Sequence, residues 1–230
     1  MRFECSHITY RYPGAAGPVF QDLSLTLAEP GFDALFGPSG IGKTSLANII
    51  LGRIGEYGGA IRTEGMRSPL YTYNLERLPG WSVVGKHLDK ITPPNRKALK
   101  DELVASFGVA RCLGSRFTQL SLGQQNRVNL IRYLVQDFDL MIMDESLANV
   151  DERTRETIIF KIKSLFPHSI FLYISHNVVE VAKFCKEIIV LRQAHKHPQT
   201  IRVAGQNLYD AQALEKHRLE VTMLEIMNAA

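Results

Sequence analysis

The chain has 230 residues, of which 45% are apolar and 22% are charged. This composition is typical of a globular protein with a large core, and it excludes a disordered chain. Lys and Arg total 27 against 23 Asp and Glu, a net charge of +4. So small an excess does not indicate nucleic-acid binding unless the basic residues cluster on one face.

The sequence also argues against secretion and against a membrane span. Cys5, Cys112 and Cys185 are scattered along the chain, which predicts neither a disulfide framework nor a metal site and favours a reducing compartment. The first residues carry charges and lack the apolar core of a signal peptide. No uncharged apolar run approaches the roughly 18 residues that a spanning helix needs.

Strands and helices are predicted to alternate along the chain. Apolar alternation predicts two strands before residue 28, and residues 53–94 are expected to form loops and short strands. Buried strands are predicted over residues 32–36, 140–143, 170–174 and 188–191. Helices are predicted over residues 44–51, 95–107, 123–135 and 151–166. This order indicates an α/β fold with a mostly parallel sheet.

The C-terminal region, from about residue 206, is predicted to be a helical tail. Its expected apolar residues are Leu208, Leu214, Val221 and Leu224. The tail could pack on the core as an ordinary helix, or it could make a dimer or regulatory contact.

Residues 37–44, with the sequence GPSGIGKT, match the phosphate-loop pattern G-x-x-x-x-G-K-[ST]. Glycines let the backbone wrap closely enough to point N–H groups at phosphates, and the following helix adds its positive end. Lys43 is expected to reach the β- and γ-phosphates, and Thr44 to offer its hydroxyl to Mg²⁺. The predicted nucleotide-binding residues here are Gly37, Pro38, Ser39, Gly40, Ile41, Gly42, Lys43, Thr44 and Ser45.

An acidic pair, Asp144 and Glu145, follows the apolar run 140–143. The strand would place Asp144 beside the phosphate loop, where it can hold Mg²⁺ through water, and Glu145 would polarise an attacking water. Taken alone, such a pair is more often a solvated helix cap. The phosphate loop favours the catalytic interpretation, which is nucleotide hydrolysis.

Residues 120–124, LSLGQ, stand directly before a predicted helix, so Ser121, the Gly123 amide and the helix N-terminus form a candidate anion site. Here the chain resembles the ATP-binding cassette (ABC) ATPases that drive membrane transporters, whose signature sequence is L-S-G-G-Q. The resemblance implies that Ser121, Gly123 and Gln124 contact ATP held by the phosphate loop of a second copy. Leu122 stands where the family has a glycine.

Four further segments resemble motifs of the family. His176 is similar to the switch histidine that contacts the γ-phosphate, and Tyr12 to the aromatic residue on which adenine stacks, with Tyr10 as the competing candidate. Asn74 stands where the family has a glutamine that contacts Mg²⁺ and the attacking water. Residues 148–151 occupy the place of the S-A-L-D loop, which joins the two ATP sites across the dimer.

The resemblance implies a single ABC ATPase domain with a P-loop NTPase core, a mostly parallel sheet, a small antiparallel β-subdomain and an inserted helical subdomain. Residues 1–73 and 130–205 would form the catalytic core with the β-subdomain. Residues 74–129 would form the helical subdomain with the signature loop, and residues 206–230 the helical tail.

The implied function is the ATP-hydrolysing subunit of a bacterial importer, with ATP and Mg²⁺ as cofactors. Its partners would be a second copy in a head-to-tail dimer, integral membrane permease subunits and a solute-binding protein, with no nucleic acid. It would be cytoplasmic and peripheral on the inner face of the cell membrane. Residues 74–81, NLERLPGW, resemble a QEDRLLPW run of cassette ATPases that serve nitrate, sulfonate and taurine uptake.

Two alternatives stay open. A soluble cassette ATPase of DNA repair or translation would use the same catalytic residues. A regulatory subunit that binds ATP and hydrolyses it weakly is suggested by the departures at Leu122 and Asn74.

Overall fold

The computed structural model describes residues 1–67, 69–78, 82–209 and 214–230. The strands are β1 (Arg2–Tyr10), β2 (Phe20–Leu27), β3 (Gly31–Phe36), β4 (Gly58–Glu64), β5 (Leu70–Tyr73), β6 (Leu140–Asp144), β7 (Ile170–Ser175), β8 (Glu187–Leu191) and β9 (Thr200–Ala204). The helices are α1 (Lys43–Ile50), α2 (Val84–Ile91), α3 (Lys97–Ser106), α4 (Leu122–Leu134), α5 (Glu152–Leu165), α6 (Val178–Phe184) and α7 (Lys216–Ala229). No helix within these residues has the length and apolar character that crossing a membrane requires.

The strands of the described residues form two sheets, as the fold prediction requires. The smaller sheet has the order β2-β1-β4, and both of its pairings are antiparallel. The larger sheet has the order β5-β6-β7-β3-β8-β9. Within it β3 pairs in parallel with β7 and β8, and β8 pairs antiparallel with β9. The predicted α/β class, with a mostly parallel sheet and a small antiparallel one, is therefore confirmed.

The chain divides into two compact units. The first unit comprises Met1–Pro69, Asp139–Ile142 and Pro167–Ala230, and the second comprises Leu70–Phe138 and Met143–Phe166. The predicted helical segment 74–129 falls within the second unit. Residues 79–81 of the segment 74–81, and residues 210–213 of the predicted tail, lie outside the described residues.

The core of the first unit is built on strands that are buried on both faces and are largely apolar. All six residues of β7 are buried, as are five of the six in β3. The ring of Phe32 stacks on Phe171 and packs against Tyr173, each at a centroid distance of 5.4 Å. Near-continuous apolar runs are typical of parallel strands covered on both sides, which explains why the pattern predicts these strands well.

The second unit is built around α4, whose apolar residues Leu130, Ile131 and Leu134 are fully buried. The helix begins with a capping box. The Ser121 hydroxyl accepts a hydrogen bond from the Gln124 N–H at 3.3 Å, and the Gln124 side chain accepts one from the Ser121 N–H at 2.9 Å. These two bonds satisfy N–H groups that a helix start otherwise leaves open, so the start of α4 is well defined.

Several predicted elements need correction. Residues 53–94, expected to be loops and strands, also contain α2, a helix of eight residues in which Val84 and Leu88 are buried. Its sequence, VGKHLDKI, is mostly polar, and no N-cap side chain marks its start. The helix expected from residue 95 begins at Lys97, because Pro94–Arg96 form a 3₁₀ turn. The short elements α6 and β9 were not predicted.

The helix of the predicted C-terminal tail begins later in the chain than expected. Residues 206–209 are not helical, and α7 begins at Lys216. Val221 and Leu224 are exposed, whereas Thr222 and Ile226 are buried. Positions four apart lie on one face of a helix, so the buried stripe of α7 runs through Thr222 and Ile226.

One buried carboxyl group of the first unit makes stability depend on pH. The pKa of Asp33 in β3 is raised to about 6, mainly by burial and in addition by the negative charge of Glu187. A hydrogen bond from the Glu187 N–H at 3.3 Å, together with the charges of Lys186 and Arg202, acts to lower the pKa. The folded chain therefore holds this proton more tightly than the unfolded chain does.

We expect Asp33→Asn to gain stability relative to the parent chain as the pH rises. The contribution of Asp33 is fully present below about pH 4 and is lost as the pH rises through 6, whereas an amide does not titrate. The free energy of unfolding of the variant, minus that of the parent, should increase by about 2 to 3 kcal/mol between pH 4 and pH 7.5. Urea unfolding at both pH values measures this difference, and a constant difference would contradict the raised pKa.

Candidate functional site

The phosphate loop leaves the end of β3 in a conformation that needs glycine. Gly40 and Gly42 have φ angles of +81° and +107°, in the left-handed region that glycine adopts without strain. A Cβ atom on Gly42 would also lie 2.6 Å from the side chain of Val19. The spacing of glycines in the motif therefore has a local steric cause, in addition to any contact with phosphate.

Lys43 opens α1 and is folded against the loop. Its side chain is largely buried, and Nζ donates hydrogen bonds to the Gly37 carbonyl at 2.7 Å and to the Pro38 carbonyl at 2.9 Å. Within the described residues α1 has no side-chain N-cap bond. Helix starts of this kind bind anions through their N–H groups and the helix dipole.

The pairing of β3 with β7 brings His176 to the same edge of the sheet as the loop. Phe36, the last residue of β3, aligns with Ser175, the last residue of the parallel strand β7. Gly37 and His176 therefore directly follow the ends of two adjacent parallel strands. The carboxyl ends of parallel strands are where ligands bind in open α/β sheets.

A hydrogen-bonded carboxylate fixes the backbone around His176. Glu180 is buried and accepts hydrogen bonds from the Tyr173 hydroxyl at 3.0 Å, the Ser175 hydroxyl at 3.2 Å and the Asn177 amide at 3.2 Å. The Asn177 side chain in turn caps α6. His176 itself is exposed, so its ring can reach a ligand while its neighbours are held in place.

The two candidate tyrosines differ in exposure. Tyr10 is 7% exposed and packs on Phe20 at a centroid distance of 6.2 Å. Tyr12 is 46% exposed, and its hydroxyl shares a hydrogen bond with Ser45 of α1. An exposed ring beside α1 is suited to stacking on a base, so the geometry favours Tyr12 over Tyr10.

A cleft of about 570 Å³ lies against residues 38–41 of the phosphate loop. Its other walls are residues 18–19, Gln21 and the turn 193–195. Gln199 joins these walls, because its side chain donates to the Val19 carbonyl at 2.9 Å and accepts from the Gln21 N–H at 2.9 Å. A volume of this size is typical of small-molecule sites.

The acidic pair of the second unit lies at the end of β6. Asp144 is the last residue of the strand, and Glu145 follows it. Asp144 is buried and accepts a hydrogen bond from the Tyr71 hydroxyl at 2.9 Å, while its carbonyl accepts one from the Asn74 N–H at 3.0 Å. Glu145 has a φ angle of +51°. A glutamate in the left-handed region is strained by about 1–3 kcal/mol, and such residues cluster at functional sites.

The signature segment is exposed at the start of α4. Ser121 and Gln124 form the capping box, and Leu122 is 49% exposed. A Cβ atom on Gly123 would lie 2.4 Å from the carbonyl oxygen of Asn149, in the loop 148–151. That loop therefore packs directly on the first turn of α4, and the close approach requires glycine at position 123.

Asn74 has hydrogen-bond partners that the sequence does not indicate. Its side-chain oxygen accepts one hydrogen bond from the Asn126 amide at 2.9 Å and another from the Asn149 amide at 2.8 Å. Both lone pairs of this oxygen are thus used. The three asparagines are far apart in the chain and belong to no common motif, so no sequence signal connects them.

The site residues that the sequence predicts divide between the two units. The first unit contains Tyr12, Gly37, Pro38, Ser39, Gly40, Ile41, Gly42, Lys43, Thr44, Ser45 and His176. The second unit contains Asn74, Ser121, Gly123, Gln124, Asp144 and Glu145. Among the residues that the structure describes, no group of three or more His, Cys, Asp or Glu side chains could hold a metal ion by itself.

Several known proteins resemble this chain in sequence or in fold. Residues 20–148 match the family model described as ABC transporter. The taurine import ATP-binding protein TauB of Pseudomonas entomophila (strain L48) is 32% identical over 205 residues, which cover 82% of this chain and 78% of TauB. The molybdenum import ATP-binding protein ModC of Mesorhizobium japonicum is 33% identical over 181 residues, which cover 70% of this chain and 49% of ModC.

A bacterial Atm1-family ABC exporter, solved with ATP bound, superimposes on 99% of this chain and 41% of its own length. The TM-score is 0.77 at 18% sequence identity, a likeness that concerns the fold alone. The family match and the curated relatives together confirm the resemblance that rests on the signature segment. The chain belongs to the ABC transporter family and is one of its ATP-binding, ATP-hydrolysing subunits.

Proposed function

We propose that two copies of this chain form a head-to-tail dimer that binds and hydrolyses two MgATP molecules and drives an importer. The observation that carries the catalytic part is the alignment of Phe36 with Ser175, which puts the phosphate loop and His176 at one edge of the parallel sheet. The phosphate-binding loop and the histidine lie at the same edge. This arrangement is suited to a reaction at the terminal phosphate of ATP.

In this proposal the first unit binds ATP. Residues 37–45 surround the phosphates with N–H groups, the Lys43 ammonium adds positive charge, and Tyr12 stacks on the adenine. His176 contacts the γ-phosphate. The hydrogen bonds from Ser175 and Asn177 to Glu180 hold the backbone on either side of His176.

The donors present fit a magnesium ion. Thr44 and Asp144 would offer a hydroxyl and a carboxylate, and Mg²⁺ prefers such hard oxygen ligands together with water and phosphate oxygens. The Asn74 amide oxygen, the third predicted ligand, already accepts two hydrogen bonds, so it is not among the proposed ligands. When bound, the ion would neutralise charge on the phosphates. Glu145 acts as the general base: its carboxylate orients the attacking water and accepts a proton from it.

The second unit serves the opposite copy. Ser121, Gly123 and Gln124 stand at the exposed start of α4, where the Ser121 hydroxyl, the Gly123 N–H and the positive end of the helix can bind the γ-phosphate of ATP held by the other copy. Because ATP then touches both copies, it binds the closed dimer better than the open one and shifts the population towards closure. Hydrolysis removes that contact and reopens the dimer.

The importer assignment is supported by the relatives, since TauB and ModC are named as import ATP-binding proteins. We infer that this chain acts with integral membrane permease subunits and a solute-binding protein. It would lie on the cytoplasmic, inner face of the cell membrane. The resemblance of residues 74–81 and the similarity to TauB support a solute of the nitrate, sulfonate and taurine class.

Purification of the tagged chain from detergent-solubilised membranes of its source organism tests the transporter assignment. Mass spectrometry should identify a polytopic membrane protein at a stoichiometry near one-to-one with this chain. Recovery of nucleic acid without a membrane protein would contradict the proposal and favour the DNA-repair or translation alternative.

We expect Lys43→Ala to weaken ATP binding by about 100-fold, because the variant loses the charged hydrogen bonds to phosphate. Isothermal titration calorimetry measures the affinity. Lys216→Ala is the matched control, since Lys216 is exposed at the start of α7. Unchanged affinity in Lys43→Ala would remove the phosphate loop from the proposed site.

We expect Glu145→Gln to bind ATP and to hydrolyse it about 100-fold more slowly or worse, because an amide cannot accept the proton of the attacking water. The variant should accumulate an ATP-bound dimer in sedimentation-velocity experiments. Glu152→Gln, an exposed change at the start of α5, is the control. Hydrolysis by Glu145→Gln at the parental rate would exclude the role given to this residue.

A further inference from the structure

One side of α4 holds the segment that follows β5. The Glu76 carboxylate accepts a hydrogen bond from the Tyr133 hydroxyl at 2.7 Å and pairs with Arg132, while the Glu76 carbonyl accepts one from the Asn129 amide at 2.7 Å. Burial raises the pKa of Tyr133, and its hydrogen bond to Glu76 raises it further. The phenol therefore stays protonated and donates over the whole physiological range.

Asn126 extends this contact by one more turn towards the start of α4. Residues 126, 129 and 133 lie on one face of a helix, and each donates to the segment 74–76. Asn126 is 2% exposed, and within the described residues its own amide oxygen has no hydrogen-bond partner. Its bond to Asn74 therefore offsets part of the cost of burying this amide.

The third participant is the loop 148–151. Asn149 donates to the same oxygen of Asn74, and its carbonyl packs against Gly123 in the first turn of α4. The oxygen of Asn74 is thus the point where the segment after β5, the signature helix and the loop after Glu145 meet.

We propose that Asn74 is a positioning residue, whose amide oxygen, shared by Asn126 and Asn149, fixes the start of α4 so that Ser121 and Gly123 can face the ATP of a second copy. This inference rests on the proposed head-to-tail dimer. It gives the departure from the glutamine of the family a structural purpose: the shorter amide ends where both donors reach it.

Positioning and metal binding compete for one atom. An amide oxygen has two lone pairs, and both are used by asparagine donors, so a contact with Mg²⁺ would require one of these hydrogen bonds to open. If Asn74 positions α4, its replacement should weaken dimer formation and leave the Mg²⁺ dependence of ATP binding unchanged.

The test uses the full chain in the Glu145→Gln background, which stops hydrolysis, with Asn74→Leu and Asn74→Asp as a matched pair. Leucine removes the acceptor at similar volume, whereas aspartate keeps two acceptor oxygens. We expect Asn74→Leu to raise the ATP-dependent dimer dissociation constant about tenfold, measured by sedimentation velocity, since two hydrogen bonds are lost. Asn74→Asp should restore the constant to within about threefold of the background.

Asn149→Ala provides a second variant that folding defects do not obscure, because Asn149 lies on an exposed loop. It should weaken the dimer about fivefold, with less than additive loss when combined with Asn74→Leu. Affinity for a fluorescent ATP analogue and the Mg²⁺ concentration that gives half-maximal binding should remain within twofold of the background in every variant.

The outcomes separate the two proposals. If the Glu145→Gln background forms no dimer with ATP, the proposed dimer itself is wrong, and this inference falls with it. If the background dimerises and both Asn74→Leu and Asn149→Ala dimerise equally well, only the positioning role is wrong. A shift in half-maximal Mg²⁺ with Asn74→Leu that Asn149→Ala does not share would make Asn74 a metal ligand instead.

Discussion

The parallel alignment of β3 with β7 is the constraint on which the proposed nucleotide site of the first unit depends. Because of this alignment, Gly37 and His176 directly follow the ends of two adjacent strands. The phosphate loop and the segment around His176, more than a hundred positions apart in the chain, therefore leave the sheet at the same edge. The pairing is stable because both strands are largely apolar and are buried. The loop then needs glycine at position 42, where a side chain would collide with Val19.

The second unit is organised by polar contacts along one helix. The capping box defines the start of α4, and the donors on one face of that helix hold Asn74 and Glu76. Gly123 allows the loop 148–151 to approach its first turn. The signature segment is therefore supported from two directions, and Leu122 within it stays exposed.

Sequence patterns predicted long, strongly apolar elements well and short or polar ones poorly. The strands β3, β6, β7 and β8 and the helices α1, α4 and α5 lie within one or two residues of the expected ranges. The helix α2 was missed because its sequence is mostly polar and no N-cap side chain marks its start. In α7, Val221 and Leu224 are exposed although they are apolar, because the packing of the first unit covers the face of Thr222 and Ile226.

The sequence by itself determined the chemistry of this protein, because the phosphate loop, the acidic pair after β6 and the signature segment are local motifs with fixed spacings. It also determined the fold class, since buried parallel strands require continuous apolar runs. Only the tertiary structure showed that Tyr12 is exposed while Tyr10 is buried, and only it brought Asn126 and Asn149 to Asn74. Contacts between residues far apart in the chain depend on how helices and loops pack, and single polar residues leave no periodic trace of that packing.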